Sequence, residues 1–322
     1  MNLSNETKQG IIAYGVSTEA KPESAVVTPP EPSNTQPEQP DIVVIPSEPK
    51  QNVIAPPSPP SPQKATIEWD NSQYLKNIFK ALQSISDEVT FKVTLDKFEC
   101  KTMDPSRVAM MTLTLNKEGC TEFDARELNG LDLTFALNVE NFLNRALKNV
   151  NKDEDIRLEL YKTKAEAKLK TILKQRFTRN FEVFLLDSST EELPDPKLDL
   201  THRSKLVVDA LVTLFKDVES TSDHVRITGT PDTLRFDCAG DLDKFDVTLE
   251  RGNDALLSLE SRVDQAKSTY SVSYLNEFLK VLKPLCGFIT FSFASDMPLR
   301  IDCELIKYGT LSIFLAPRID TD

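Results

Sequence analysis

The side chains that most often perform catalysis or bind metals are sparse in this sequence of 322 residues. It has two histidines, His202 and His224, and five cysteines, without a Cys-x-x-Cys pair, a Gly-rich phosphate loop or a nucleophilic serine elbow. An odd number of cysteines without metal-ligand spacing favours reduced thiols over a disulfide framework or a metal site. We therefore expect no cofactor, no metal and no enzymatic activity, and we interpret both histidines as polar residues at strand ends.

Basic side chains on predicted helices are the second group with recognisable chemistry, because lysine and arginine bind phosphates and release counterions. The formal net charge of −12 argues against a nucleic-acid partner. The charge is segregated, however, because the four predicted helices with their immediate flanks (71–86, 139–152, 205–219 and 274–285) together hold nine basic and five acidic residues, while the rest of the chain is strongly acidic. This pattern suits a helical surface that meets a DNA backbone without reading bases, or ordinary solvated lysines opposite a buried helix face. The third helix weakens the first interpretation, since its acids outnumber its bases.

Hydrophobic periodicity places these helices at 71–86, 139–150, 206–219 and 274–285, and short alternating segments typical of strands lie between them. The joins are too short for parallel crossovers, so we predict antiparallel sheets and an α+β fold. The segment 164–177 combines helix propensity with alternation, and we predict a strand there because its neighbours are strands.

The predicted helices recur at a nearly constant period. They begin near Asn71, Val139, Leu206 and Tyr274, at intervals of 68, 67 and 68 residues. A fixed period indicates a duplicated architecture, here two similar domains that each pack two helices on antiparallel sheets. The polar, acidic, proline-bounded stretch at 188–196 predicts an interdomain connector between domain 1 (65–187) and domain 2 (197–322).

Residues 1–64 hold 13 of the 20 prolines and one aromatic residue. We predict a disordered, Pro-rich tail with polyproline-type segments there. The chain has no run of 18 apolar residues, and its N-terminus lacks the basic and apolar regions of a signal peptide. We therefore expect an intracellular protein that has no membrane partner.

Six stretches form a recognisable series between Ala65 and Ile319: TMDPSRVAMMTLTL, LLDSSTEELPDPKL, SDHVRI, SYLNEF, DMPLRIDCEL and LAPRI. In order and spacing they resemble the sliding clamp family, the archaeal and eukaryotic proliferating cell nuclear antigens. The resemblance implies three copies that close head to tail into a ring, with helices lining the hole, sheets outside and edge strands paired between copies. The interface it implies joins strand 180–187, with Phe181 and Val183, to the region 243–259.

By this resemblance the ring would encircle duplex DNA independently of sequence, and an ATP-driven clamp loader would load it. It would tether a DNA polymerase or other replication and repair proteins. The DNA-facing candidates are Lys76, Lys80, Arg145, Lys148, Lys216, Lys280 and Lys283. A hydrophobic pocket would take a short helical turn of a partner peptide. The positions that match this pocket are Met103, Arg107, Val108, Met110, Leu186, Leu193, Pro194, Pro298, Phe314, Leu315, Ala316 and Pro317.

Several alternatives remain open. The chain could be one subunit of a heterotrimeric clamp, or a monomeric viral-type processivity factor that binds DNA through one face; an enzyme is the weakest alternative. The dense basic run at 162–179 is either a solvated hairpin or a second nucleic-acid or partner contact. Met110 and Leu315, taken singly, suit ordinary core positions. The compartment would be cytoplasm or nucleoid for an archaeal or viral protein and the nucleus for a eukaryotic one.

Overall fold

The computed structural model describes residues 62–186, 193–194 and 196–318. The predicted tail up to residue 61 and most of the predicted connector lie outside the described residues. The first half of the described chain contains these elements in order: β1 (Gln63–Trp69), α1 (Ser72–Gln83), β2 (Glu88–Val93), β3 (Lys97–Met103), β4 (Ala109–Asn116), β5 (Glu122–Asp124), β6 (Leu133–Asn138), α2 (Val139–Arg145), β7 (Asp155–Lys162), β8 (Ala167–Lys174) and β9 (Thr178–Phe184).

The second half repeats the same order of strand, helix, five strands, helix and three strands. Its elements are β10 (His202–Val207), α3 (Val208–Thr221), β11 (His224–Gly229), β12 (Thr233–Ala239), β13 (Lys244–Glu250), β14 (Leu256–Ser261), β15 (Ala266–Ser271), α4 (Val272–Leu282), β16 (Phe288–Phe293), β17 (Leu299–Leu305) and β18 (Gly309–Leu315). The predicted α+β fold with two similar domains is therefore confirmed, and the ambiguous segment 164–177 contains strand β8.

Strand pairing is also repeated between the halves, and every pair is antiparallel. In the first half β1 lies between β5 and β7, and in the second half β10 lies between β14 and β16. Likewise, β2 lies between β3 and β6, and β11 lies between β12 and β15. Each half thus contributes one five-stranded ladder and one four-stranded ladder.

The two halves are joined by one additional strand pair. Strand β18 at the end of the second half pairs with β4 of the first half over seven residue pairs, from Gly309 opposite Leu115 to Leu315 opposite Ala109. This pairing fuses two ladders into a nine-stranded sheet in the order β14-β10-β16-β17-β18-β4-β3-β2-β6. The other two sheets have the orders β5-β1-β7-β8-β9 and β13-β12-β11-β15.

The helices pack beside one another as a continuous row, since α1 contacts both α2 and α4, and α4 contacts α3. Helix α1 shows how sequence determines these elements. The Asn71 side chain accepts a hydrogen bond from the Tyr74 amide and caps the helix, while Leu75, Phe79 and Leu82 recur at helical spacing and are buried. Among the described residues, no helix has both the length and the apolar character needed to cross a bilayer.

Several element boundaries differ from the predictions, and three of these differences have a visible structural cause. Strand β1 begins at Gln63, so it includes two residues assigned to the tail. Helix α2 ends at Arg145 instead of continuing to residue 150, and a turn carries the buried Leu147 and Val150 onward. Leu206, the predicted start of the third helix, pairs with both neighbouring strands in β10, so α3 starts two residues later.

Candidate functional site

The first set of predicted basic residues lies on α1, on α2 and just beyond α2. Lys80, Arg145 and Lys148 are exposed, and the ammonium group of Lys76 donates a hydrogen bond to the carbonyl of Lys148 at 2.7 Å. Partial burial and repulsion from Lys80 lower the pKa of Lys76. Within the described residues, Lys80 and Arg145 make no ion pair with a carboxylate. This end of the helix row therefore presents uncompensated positive charge.

The second set lies on and beside α3 and α4, where acidic neighbours reduce its charge. Lys216, Lys280 and Lys283 line one groove between these helices, together with Glu219 and Glu277. The ammonium group of Lys283 lies 2.8 Å from the carboxylate of Asp209, the first-turn acid of α3. The structure thus brings the seven predicted basic residues onto one row of helices, but leaves the α3–α4 end close to neutral.

Most of the basic run at 162–179 is paired with neighbouring acceptors. Five of its seven basic side chains have acceptors in neighbouring elements: Lys168 contacts Glu166 and Glu182, Lys170 contacts Glu159, Lys174 contacts Glu68, Arg179 contacts Glu154, and Lys162 donates to the carbonyl of Thr134. Such pairing favours the solvated-hairpin interpretation over a second nucleic-acid contact.

The predicted peptide pocket falls on the nine-stranded sheet where β3, β4, β18 and β17 lie side by side. Met103 is opposite Met110, which is opposite Phe314, and Phe314 is opposite Arg300. These four residues form one row across the sheet, and the guanidinium of Arg300 lies 5.7 Å from the centre of the Phe314 ring. A second row lies just beyond the ends of these strands, where the Ala316 amide donates to the Val108 carbonyl at 2.8 Å. Val108, Ala316 and Pro298 are half-buried there, and Val108 also packs against the main core. We call the seven residues of these two rows the outer apolar face.

Not all predicted pocket residues share that face. Leu315 is fully buried in the main core, on the opposite side of β18 from Phe314, so it supports the strand and cannot line a surface pocket. Pro317 follows Leu315 by two residues and is half-buried, so continued strand alternation would place it on the same side as Leu315. Met110 is also buried, but it lies outside the main core and within the outer apolar face.

The described ends of the connector lie against the same sheet, one at β6 and the other near β3. Leu186 is 42% exposed, and its amide donates to the carbonyl of Ala136 at 2.9 Å. Lys101 donates to the carbonyl of Leu193 at 3.4 Å, which places Leu193 and Pro194 near β3. The remaining connector residues, 187–192 and 195, lie outside the described residues.

Arg107 occupies a tight turn beside the outer apolar face. Its φ of 58° places it in the left-handed region, and its side chain is exposed. The buried Asp104 carboxylate holds the turn by accepting hydrogen bonds from the amides of Ser106 and Ala109. Asp104 also accepts the hydroxyl of Tyr274 on α4 at 3.0 Å, so the turn bridges the two halves.

Six strands lie at sheet edges within the described part of the chain, and β9 and β13 are the two whose counterparts in the other half are paired on both sides. Strand β9 closes one side of the five-stranded sheet and β13 closes one side of the four-stranded sheet. Phe181 and Val183 on β9, and Phe245 and Val247 on β13, are half-buried side chains that pack against the core from these edges. An apolar, unpaired edge strand is a template for another strand.

Sequence reasoning named Phe181 and Val183, but identified Phe245 and Val247 only through the wider range 243–259. Their alternation with Lys244 and Asp246 was the available signal. It also missed Arg300, because only the strand register shows that this side chain covers Phe314. Neither the alternation on β13 nor the register of Arg300 identifies a binding partner by itself.

Family models match both halves of the chain. The model described as "Proliferating cell nuclear antigen, N-terminal domain" matches residues 66–188, and the model described as "Proliferating cell nuclear antigen, C-terminal domain" matches residues 204–318. Together these matches cover more than half of the 322 residues.

Individual relatives match over nearly their whole length. A protein of Methanosarcina barkeri named "DNA polymerase sliding clamp" is 32% identical over 256 residues, covering 78% of this chain and 98% of the relative. A protein of the same name from Nitrosopumilus maritimus is 26% identical over 250 residues, covering 78% and 96% respectively. The crystal structure of PCNA from Thermococcus kodakaraensis matches with a TM-score of 0.72 and 25% identity, covering 79% of this chain and 100% of the other.

Proposed function

Because this chain belongs to the proliferating cell nuclear antigen family, we propose that it is a DNA polymerase sliding clamp, a processivity factor that encircles duplex DNA as a ring of three copies. The ring binds DNA through its backbone, independently of sequence, and tethers a polymerase and other proteins that carry a clamp-binding peptide. Encirclement needs no catalytic group and no cofactor, so the protein is not an enzyme in this proposal. It would act inside the cell, wherever the DNA is replicated.

The proposal rests mainly on a difference between equivalent strand edges in the two halves, because one pair of edges is joined inside the chain and the other is not. In the repeat, β18 is the counterpart of β9, and β4 is the counterpart of β13. Strands β18 and β4 pair with each other inside the chain, whereas the outer edges of β9 and β13 have no partner strand within its described part. Pairing β9 of one copy with β13 of the next repeats the internal junction between chains. This contact is heterologous, so it closes into a ring if the rotation between copies permits.

The internal junction also predicts the register between copies. Aligning the halves by their inward-facing residues places Phe181 at the position of Ile313 and Phe245 at the position of Met111. Ile313 and Met111 are directly opposite each other in the β18–β4 ladder and are fully buried. We therefore expect Phe181 of one copy to lie opposite Phe245 of the next, an aromatic cross-strand pair that becomes buried on assembly.

The helix row supplies the DNA-facing surface in this proposal. Exposed lysines and arginines on helices contact phosphates without reading bases, and such contacts exchange readily enough to allow sliding. Lys80, Arg145 and Lys148 provide most of the uncompensated charge, and the contribution of Lys216, Lys280 and Lys283 is smaller because of their acidic neighbours.

The outer apolar face supplies the docking site for partner peptides. Met103, Val108 and Phe314 are half-buried members of this face, and the connector residue Leu193 lies near β3 at its border. An amphipathic helical turn with apolar anchors suits such a surface. Loading requires an ATP-driven clamp loader, which is the remaining partner in this proposal.

The oligomeric mass of the purified chain tests the ring. We expect size-exclusion light scattering to give about 109 kDa, three times the chain mass of 36.2 kDa. A stable monomer would favour either a heterotrimeric subunit or a monomeric processivity factor. These two are then distinguished by adding candidate partner subunits and by testing retention on circular against linearised DNA after loading.

A matched pair of substitutions tests the proposed seam. Phe181→Ala removes half of the expected aromatic pair and should shift the protein toward monomer. Phe184→Ala is the control because Phe184 is 69% exposed on the opposite side of β9, where Lys168 lies 5.5 Å from its ring centre. Loss of the trimer in the control alone, or in neither variant, would contradict the seam.

A further inference from the structure

The two sulfur atoms of Cys286 and Cys303 lie closer together than ordinary packing allows. Cys286 follows helix α4, Cys303 lies in strand β17, and their Sγ atoms are 2.7 Å apart. A disulfide bond has an S–S length of about 2.04 Å, so only a small movement separates this pair from a covalent bond. Both side chains are buried, with 8% of Cys286 and 1% of Cys303 exposed. All five cysteines are free thiols in this structure.

We propose that Cys286 and Cys303 form a reversible intrachain disulfide, by exchange with a low-molecular-weight disulfide. This inference does not rest on the proposed clamp function. The expectation of reduced core thiols came from the lack of a recognisable spacing, and these two residues are brought together by the fold.

The exchange proceeds in two balanced steps. The thiolate of Cys286, the more exposed of the two, attacks one sulfur of the reagent, so that a mixed disulfide forms and one reagent thiolate leaves. The thiolate of Cys303 then attacks the Cys286 sulfur, the protein disulfide forms and the second reagent thiolate leaves. The protons of both cysteine thiols end on the two released thiolates, and two electrons pass from the protein to the reagent.

The surroundings assign the order of attack. The thiol of Cys303 donates to the Cys286 sulfur, and that hydrogen bond together with burial raises the pKa of Cys303. Cys303 therefore stays protonated until its neighbour has reacted. The thiol of Cys286 points to the carbonyl of Leu282 in the last turn of α4, at 3.7 Å, so a small opening of the helix end exposes it first.

The remaining cysteines make this a selective prediction. Cys120 and Cys238 are more exposed than the pair, and exposure alone would favour them as sites of oxidation. Burial raises the pKa of Cys120 to about 12 and also raises that of Cys238. Among the described residues, neither has another cysteine sulfur within hydrogen-bonding distance.

The disulfide would fasten the helix end to the part of the second half that meets the first half. Leu285, next to Cys286, accepts the hydroxyl of Tyr74 from α1 at 2.8 Å. Cys303 is opposite Leu311 in β18, the strand that pairs with β4. The bond closes a loop with a sequence separation of 17, and we expect it to raise the midpoint of thermal unfolding by roughly 5–10 °C.

The test is thiol counting on the full chain. The protein is equilibrated in glutathione buffers of increasing oxidising strength, denatured, alkylated with N-ethylmaleimide and weighed by mass spectrometry. We expect five adducts in reducing buffer and three in oxidising buffer, and a tryptic map in which residues 281–300 are linked to residues 301–307. Reduction should restore five adducts and return the unfolding midpoint to its reduced value.

Single substitutions complete the test. Cys238→Ser should still lose two adducts on oxidation. Cys303→Ser should form no protein disulfide and should at most exchange one adduct for a glutathione mixed disulfide at Cys286. Circular dichroism verifies that each variant is folded. If the Cys303→Ser protein does not fold, the peptide map of the unsubstituted chain decides the question. Five adducts in every buffer, or a link through Cys100, Cys120 or Cys238, would overturn the proposal.

Discussion

The ion pair between Lys283 and Asp209 makes a quantitative prediction about DNA binding. A lysine that already contacts a carboxylate at 2.8 Å contributes little to counterion release on DNA, because its charge is compensated before binding. Asp209→Asn frees Lys283 while keeping a side chain of similar size. We therefore expect this variant to bind duplex DNA more tightly at low salt and with a steeper salt dependence.

The magnitude follows from one phosphate contact. Each neutralised phosphate adds about 0.9 to the slope of log K against log salt concentration. One additional contact by Lys283 therefore raises the ratio of affinities at about 50 mM and 200 mM salt by roughly 3.5-fold for each protomer that touches DNA. Both partners of the pair are more than half exposed, so its loss should change the free energy of unfolding by less than about 1 kcal/mol.

Fluorescence anisotropy of a labelled short duplex, titrated at several salt concentrations, measures this slope. The control is Asp264→Asn, which makes the same charge change on the exposed turn between β14 and β15, away from α3 and α4. A general effect of net charge would appear equally in both variants. If the slope of Asp209→Asn equals that of the control, Lys283 does not contact DNA and the reasoning about the α3–α4 groove is wrong.

Three other predictions concern the core and the docking surface. Burial lowers the pKa of His202 from 6.5 to about 4. The stability linked to the neutral imidazole is therefore complete above pH 6.5 and is lost as the pH falls toward 4. Urea titrations across this range should show a loss of about 3 kcal/mol in the free energy of unfolding, and His202→Gln should not show it. The Glu154 carboxylate is 1% exposed and lies 2.6 Å from the guanidinium of Arg179. Arg179→Ala leaves this carboxylate without its cation, so it should lower the free energy of unfolding in chemical denaturation by about 3–5 kcal/mol, and Arg179→Lys should recover part of the loss. Phe314→Ala should weaken a clamp-binding peptide at least about tenfold in calorimetry, whereas truncation of the exposed Ile306 should not; equal losses would place the peptide elsewhere.

The repeat and the type of nearly every element could be predicted from periodicity, because each buried face carries its own spacing. The end of α2 could not. Ala146, Leu147 and Val150 continue the apolar pattern and are buried, yet they lie in a turn after Arg145. Periodicity reports which residues face the core, and it does not report whether the backbone between them remains helical.

Relations between distant strands were beyond sequence reasoning for a different reason. The proximity of Cys286 to Cys303 and the cover of Arg300 over Phe314 both depend on strand register, which a single sequence does not encode locally. The likeness of β9 to β18 likewise has meaning only once β18 is seen to pair with β4. Motif resemblance predicted the pocket region, and the strand register then separated Leu315 from the face that Phe314 shares.

The junction between the two halves bears on how such a ring would admit DNA. Inside the chain, the β18–β4 ladder is reinforced by the stacked rings of Tyr74 and Tyr308 and by the hydroxyl of Tyr308 bound to Asp70. The seam between copies would lack these tyrosine contacts and would depend on the edge strands with their few apolar side chains. A three-copy ring would then contain three strong junctions inside the copies and three weaker seams between them. A loader that opens the ring would therefore separate neighbouring copies and leave each polypeptide folded.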